Sequence, residues 1–397
     1  MNKQVTGTLP SLPIIAAAPR RYFELDSIRG IAALVVVLQH FGLALPENES
    51  NIFFHLQRGG HRAVIVFFLL SGFVLTLPLR TGRRQRYPTF VVRRICRIYL
   101  PYVAALILAI AADWVVGQRP IGNQWVDQSW SHPITGALVG AHLVFLGQYD
   151  WSQLNTAFWS LIYEMRISLV FPFIALGIMV LPGWIGAAAA LLCSLLSVTV
   201  AVLLAELFGL QAADSLAWAI TLHYLALFMV GSLLVKYLPH LEKFFALRSK
   251  KIRIGCIVAA LLLIVALPAH KLAVVAGYWP RMLFADQLAD WITVLTAAVL
   301  LIGSLQSRSL QHLLHWTPVR RLGERSYSLY LVHGTVLFIL VKLLGAGHSI
   351  YFVLAPYIIL SLLLAEGFFR LVEYPSMLLG RQLTRKRLVM AVCTRVR

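Results

Sequence analysis

The sequence predicts an all-α fold: a polytopic transmembrane helical bundle of about ten spans, with both termini in the cytoplasm (N-in, C-in). Three observations carry this. Hydrophobic residues make up 59% of the 397 residues and charged residues only 13%, with a mean hydropathy of +0.77, whereas soluble domains carry about 25% charged residues. The apolar residues fall into runs long enough to cross a hydrocarbon core about 30 Å thick. The basic residues gather in alternate connecting segments, as cytoplasmic loops do.

The runs place spans at 27–45, 63–79, 98–116, 158–181, 184–207, 218–237, 254–275, 289–306, 326–344 and 350–372. With the N-terminus inside, the cytoplasmic segments hold 28 of the 35 basic residues. Topology therefore accounts for the net charge of +19. Its partner is the anionic headgroup layer of the lipid bilayer, and no nucleic acid is expected. The chain divides into a cytoplasmic N-terminal segment (1–24), a membrane domain (25–375) and a basic cytoplasmic tail (376–397). The apolar stretch Leu12–Ala18 is short, follows a single Lys3 and precedes Arg20 and Arg21. No cleavable signal peptide is expected from it. The four cysteines lack CxxC spacing, which predicts neither a disulfide framework nor a zinc site; no metal is expected. Two external segments, 45–62 and 117–157, are long, and 133–147 reads as a short helix on or dipping into the surface. No inverted repeat of the transporter kind is visible, and no soluble domain is expected at either end.

The first span reads LDSIRGIAALVVVLQHF. Asp26, Arg29 and His40 interrupt it, and ionisable residues inside a membrane helix are by default functional candidates. Arg29 and His40 are eleven residues, or three turns, apart. They share a face and lie about 16 Å from each other along the axis. The plainer alternative makes Asp26 and Arg29 interfacial anchors and His40 a hydrogen-bonded bundle histidine. In the second span Ser71-Gly72 permits a close helix approach. The basic loop after it closes with VVRRICRIYLPY. Arg94 and Arg97, three residues apart, share a face at the cytoplasmic start of span three. They read either as anchors or as a phosphate clamp, because guanidiniums present paired donors to anions.

The fourth span opens FWSLIYEMRISLVF. Trp159 reads as an interfacial belt residue. Glu164 needs a partner or a wet cavity, and its position near the external end puts it on the side of the bilayer where His40 lies. A carboxylate orienting an imidazole is general-base chemistry; a Glu164–Arg166 or Glu164–His40 pair that only joins helices is the structural alternative. The ninth span, SYSLYLVHGTVLF, carries Tyr330 and His333 on one face. The tenth ends FFRLVEYP, where Arg370 and Glu373 read as an interfacial ion pair ahead of a helix stop at Pro375.

Six stretches in order, LDSIRGIAALVVVLQHF, VFFLLSGFVL, RRICRIYLPY, FWSLIYE, SYSLYLVH and FRLVEYP, together resemble the acyltransferase-3 family of integral membrane O-acyltransferases, the O-antigen and exopolysaccharide acetylase type. The likeness runs from Phe23 to Pro375. It implies transfer of an acyl group, usually acetyl, from cytoplasmic acetyl-CoA to a hydroxyl of a cell-surface glycan or lipid-linked saccharide. Acetyl-CoA, or another acyl-CoA, would be a co-substrate rather than a permanently bound cofactor. The resemblance further implies His40 as the catalytic histidine, Arg94 and Arg97 (with Arg29) as donor-binding residues, and Glu164 as the carboxylate of the WSLxxE motif. Asp26, Tyr330 and His333 are supporting candidates. Residence in the bacterial inner (plasma) membrane follows. The chain departs from the family at Met165-Arg166-Ile167, and the added arginine points to an acidic sugar as acceptor. The rival readings are a transporter or flippase with a buried polar path, a protein needed only for assembly of a polysaccharide complex, and an enzyme acylating a small hydrophobic acceptor such as a macrolide.

Overall fold

The computed structural model describes residues 22–45, 59–82, 85–147, 150–208, 212–266, 279–344 and 351–393. Thirteen helices organise them. They are α1 (Phe23–Leu43), α2 (Gly59–Arg80), α3 (Tyr87–Val116), α4 (Gly136–Val144), α5 (Trp159–Val180), α6 (Gly183–Phe208) and α7 (Ala212–Ala246), then α8 (Lys250–Ala266), α9 (Trp279–Gln306), α10 (Arg308–Leu314), α11 (Thr317–Glu324), α12 (Ser326–Leu344) and α13 (Tyr351–Arg385). No strand occurs among the described residues. Nine of the helices are long and apolar enough to cross a membrane, which makes the chain an integral membrane helical bundle. The seventh expected span, 254–275, is described only as far as Ala266 in α8; the rest of it lies outside the described residues, as do 1–21 and most of 45–62.

Apolar side chains face outward as well as inward: Ile107, Leu262 and Phe352 are well exposed around the bundle. In lipid such residues gain nothing by meeting each other, so close packing and polar contacts must join the helices. Gly72 supplies the approach the sequence predicted. A Cβ there would fall on the Phe228 backbone of α7, and a Cβ at Gly231 would fall on α2 in return. One turn from that crossing, Thr76 and Ser232 share a 2.6 Å hydrogen bond. Gly30 meets Gly323 of α11 in the same way, so α1 is clamped between α2, α11 and α12.

Helices α7 and α9 run longer than expected, and two further helices differ in ways that build the site. The third span starts eleven residues early, at Tyr87, and contains a π turn over Ile95–Tyr99. The last does not stop at Pro375. A π turn over Phe369–Glu373 leads into a further helix, Tyr374–Cys393. The widened turn ends just before Pro375, which falls in the first turn of the further helix, where its missing N–H costs no hydrogen bond. The segment read as a basic tail is thus helical to Cys393 and packs on α3: Arg93 donates to Thr384 at 3.1 Å, and Gly380 lies against Cys96. The two π turns are neighbours, and each carries a charged residue of the site described next. The surface segment also folds as a short helix, α4, tied inward by a 2.9 Å hydrogen bond between Tyr102 and the buried His142. Away from water the charged imidazolium loses its solvation, and burial pulls the His142 pKa down to about 4.

Candidate active site

α1 carries the two ends of the site on one helix. At its start, Arg29 lines a cleft of about 470 Å³ together with Asp26, Ser71, Arg94, Arg97 and Glu164. The π turn lets Arg94 and Arg97 of α3 face this cleft with different commitments. Arg94 is tied down: its guanidinium donates to Ser168 at 2.6 and 3.2 Å and to Glu164 at 3.4 Å. Among the described residues, Arg97 donates to the thioether of Met377, at 3.0 Å, a weak acceptor. Its donors remain the more available of the two. Asp26 lies in electrostatic reach of Arg29.

Glu164 was expected beside His40. It sits instead at the arginine end, between Arg94 and Ser71, each at 3.4 Å. α5 enters the bundle through a 3-10 turn (Thr156–Phe158), and Glu164 lies more than a turn beyond it. His40, in contrast, is in the last turn of α1. Sequence places both residues near the same helix ends but does not set the offset between the helices.

Glu373 is a residue the sequence reading misassigned. Arg370 pairs with Glu366 at 2.5 Å, not with Glu373. Glu373 is 2% exposed, accepts from Ser328 at 2.6 Å and stands in electrostatic reach of Arg97 and Arg29. A glutamate buried beside arginines had a visible signal in FRLVE, its intramembrane charge, but the adjacent arginine offered a simpler partner.

Above Glu164 the cleft narrows to a pocket of about 30 Å³, still lined by Arg29 and ending at Ser160 and Tyr330, which share a 2.6 Å hydrogen bond. One turn further along α12 stands His333. Its Nε2 is 2.7 Å from Nδ1 of His40, and its own Nδ1 is 3.0 Å from the Leu329 carbonyl. The order of these contacts fixes the protons. A carbonyl only accepts, so His333 Nδ1 carries the proton and, in the neutral pair, His333 Nε2 accepts. His40 must then donate from Nδ1, and its Nε2 holds a free lone pair. Both rings are buried, at 8% and 0% exposure. From the segment between α3 and α5, Trp125 stacks on His40 with centroids 5.5 Å apart and planes at 24°. The sequence had placed Tyr330 and His333 on one face; the pairing of His333 with His40 is what it did not show.

Arg166 has no role in this constellation. Its guanidinium donates to the carbonyls of Leu146, Gly147 and Ala217 and lies 3.8 Å over the Trp218 ring. It also donates to the Thr221 hydroxyl at 3.3 Å and lies 5.7 Å from the centre of the Tyr163 ring; engaged in this way, it gives no ground for expecting an acidic sugar.

The family profile described as an acyltransferase domain, acyltransferase 3, matches residues 22–366. Among curated proteins, the chain is 24% identical over 376 residues to one of Bacillus subtilis (strain 168) described as "Putative peptidoglycan O-acetyltransferase YrhL", covering 88% of this chain and 54% of that protein. It is 36% identical over 98 residues to "Protein 2 in picA locus" of Rhizobium radiobacter, covering 23% of this chain and 46% of that protein. The chain thus spans about half the length of the curated relatives it matches. No solved structure matches it.

Proposed function

The chain belongs to the acyltransferase-3 family, and from that membership we propose that it is a membrane O-acyltransferase moving an acyl group, acetyl in the simplest case, from acyl-CoA to a hydroxyl of an envelope glycan or glycolipid. The observation that carries this reading is the His40–His333 pair, with its bare Nε2, on the same helix as an arginine-lined cleft. The Bacillus subtilis relative is described by the same reaction class.

In this reading the donor enters at the arginine end from the cytoplasm, the side that the clustering of basic residues favours. Arg97 and Arg29 bind its phosphates. Arg94, held by Ser168 and Glu164, shapes the wall and adds charge. The pantetheine arm passes Tyr330 and Ser160, a path comparable to the roughly 16 Å between Arg29 and His40. His40 Nε2 takes the proton from the acceptor hydroxyl, and the oxygen attacks the thioester carbonyl. The C–S bond breaks, and the leaving thiolate of CoA takes the proton back from His40. His333 holds His40 in the required tautomer, and as imidazolium forms it accepts the hydrogen bond that stabilises it. Glu164 here positions Arg94; it does not orient the imidazole. Acyl transfer through Nε2 itself is the covalent variant of the same scheme.

The test is transfer by the purified full chain in vesicles, with radiolabelled acetyl-CoA and extracted envelope glycans. Label in the glycan from wild type, and none from His40→Ala, is the expected result. Equal labelling by both proteins would overturn the catalytic assignment. No labelling by wild type with several acyl-CoA donors would overturn the reaction class.

A further inference from the structure

A second polar cluster lies at the histidine end of the bundle, outside the constellation above. Asp290 of α9, 4% exposed, accepts from two imidazoles, one on each oxygen: His61 of α2 at 2.9 Å and His223 of α7 at 3.2 Å. His223 is fully buried and reaches Ser194 of α6 at 2.8 Å; Trp291 donates to the same hydroxyl at 3.0 Å. Four helices therefore converge to hold one carboxylate, and the carboxylate holds His61. His61 itself is not buried: its side chain is 44% exposed. It lies nearly parallel to Trp159, with planes at 10° and centroids 6.0 Å apart. The exposed His61 ring is thus backed by a parallel indole. One turn from Asp290 on the same helix, exposed Asp286 adds a carboxylate within electrostatic reach of His61.

These rings lie level with the His40–His333 pair. A Cβ at Gly60 would fall on the side chain of Gln39, so His61 and His40, each the next residue along its helix, stand at one depth. Ser160, next to Trp159, is bonded to Tyr330, whose ring is 5.8 Å from that of His333.

We infer that Trp159, His61 and Asp286 form a subsite for a neutral or amino sugar ring of the acceptor, beside the catalytic pair. The C–H face of a pyranose lies on a flat aromatic surface, where apolar contact needs no desolvation of charge. Its hydroxyls reach the free nitrogen of His61 and the carboxylate of Asp286, while buried Asp290 fixes the imidazole's orientation and tautomer, as a carboxylate does for a histidine. The exposed Asp286 carboxylate disfavours an anionic sugar; the neighbouring cation Arg62 is buried and donates to the Ile264 carbonyl, and Arg166 is bound to carbonyls. The His61 ring, held by buried Asp290, stays open on one side beside Trp159 at the level of the reacting groups.

The inference rests on the glycan-acceptor reading, and its test separates the two. The probe is the tetramer of N-acetylglucosamine, offered to the full-length protein with acetyl-CoA. Three variants serve: Asp286→Asn, His61→Gln and Trp159→Phe. Asp286 is exposed, so its variant reports on the subsite and not on folding. Each should raise the tetramer KM about three- to tenfold, the value of one hydrogen bond or ring contact. The acetyl-CoA KM and acetyl-CoA hydrolysis in the absence of sugar should not move. Saturation-transfer NMR gives binding without chemistry: tetramer signals in wild type should weaken in all three variants, and a galacturonate tetramer should bind less well than the neutral one. Transfer to the tetramer with an unchanged KM in all three variants would overturn the subsite and leave the reaction intact. Variant-sensitive binding with no transfer by wild type would overturn the reaction and leave the subsite. Tighter binding of the galacturonate would overturn the assigned charge preference.

Discussion

The two ends of α1 are built on opposite principles. At the arginine end charge is concentrated in an open cleft: four guanidiniums (Arg29, Arg93, Arg94, Arg97) and two carboxylates (Asp26, Glu164) line a volume of about 470 Å³, with Glu373 in electrostatic reach. At the histidine end the central pair is buried and covered. Two imidazoles are linked in series to a backbone carbonyl beneath the Trp125 ring. Water and mobile ions screen charges in the first setting and reach little of the second. An open, multiply charged cleft binds a polyanion with graded loss when one charge is removed. A closed relay of single hydrogen bonds fails whole, because removing one member strands a buried group or flips a tautomer. The variants below break or sharpen that contrast.

The largest effect is expected at His40. His40→Ala should cut transfer by about 10²–10⁴-fold, the usual size of general acid–base help, while the protein still accumulates in membranes. Activity within fivefold of wild type would end the catalytic role. His333→Ala should come close behind, since it removes the imidazole acceptor that fixes the His40 ring. His333→Gln, whose amide oxygen can accept, should recover part of the loss; failure of both to change kcat would show the pair to be structural.

Smaller, graded losses belong to the other end. Arg97→Ala should raise the apparent acyl-CoA KM about 10–100-fold, consistent with a charge-assisted hydrogen bond of roughly 1.5–3 kcal/mol, and Arg97→Lys should restore only part because the planar fork is lost. Arg94→Ala should also lower the amount of folded protein, because Ser168 and Glu164 lose their partner. Identical effects of the two alanine variants on KM and on yield would erase the distinction drawn between them.

Sidedness comes next, as a qualitative test. Single cysteines replacing exposed Arg86 and exposed Gln124 should differ in intact cells toward a membrane-impermeant thiol reagent. Gln124 should label, and Arg86 should label only after the cells are opened. The reverse pattern would invert the proposed orientation and place the donor cleft outside.

The smallest effect concerns His142, whose pKa burial pulls down to about 4. The unfolded chain protonates its histidine near the ordinary value of about 6.5. The folded form, which resists the proton, is therefore favoured fully above that pH and loses this advantage as pH falls toward 4. The melting temperature of the detergent-purified protein should fall across that window, and the fall should shrink in His142→Gln. An equal fall in both would assign the acid sensitivity elsewhere.

Much of this was legible in the chain. Composition and run length determined a membrane bundle, since few residues can enter hydrocarbon and a helix needs about 20 to cross it. Gly72 announced a close helix crossing, and Arg29, Arg94, Arg97, His40 and His333 stood out as ionisable groups in apolar runs. What the sequence did not determine was the registration of helices against each other. Spacing along one helix is fixed by 1.5 Å per residue, so the Arg29–His40 face was readable. The depth of Glu164 relative to His40, the pairing of His40 with His333 across 293 residues, and the release of Glu373 from Arg370 depend on how far neighbouring helices slide. Glycine contacts, π turns and proline positions set that offset only once the bundle is packed. The Asp290 cluster makes the same point most fully. Its members come from four helices, α2, α6, α7 and α9; singly each is an unremarkable polar residue in an apolar run, and only packing makes them one site.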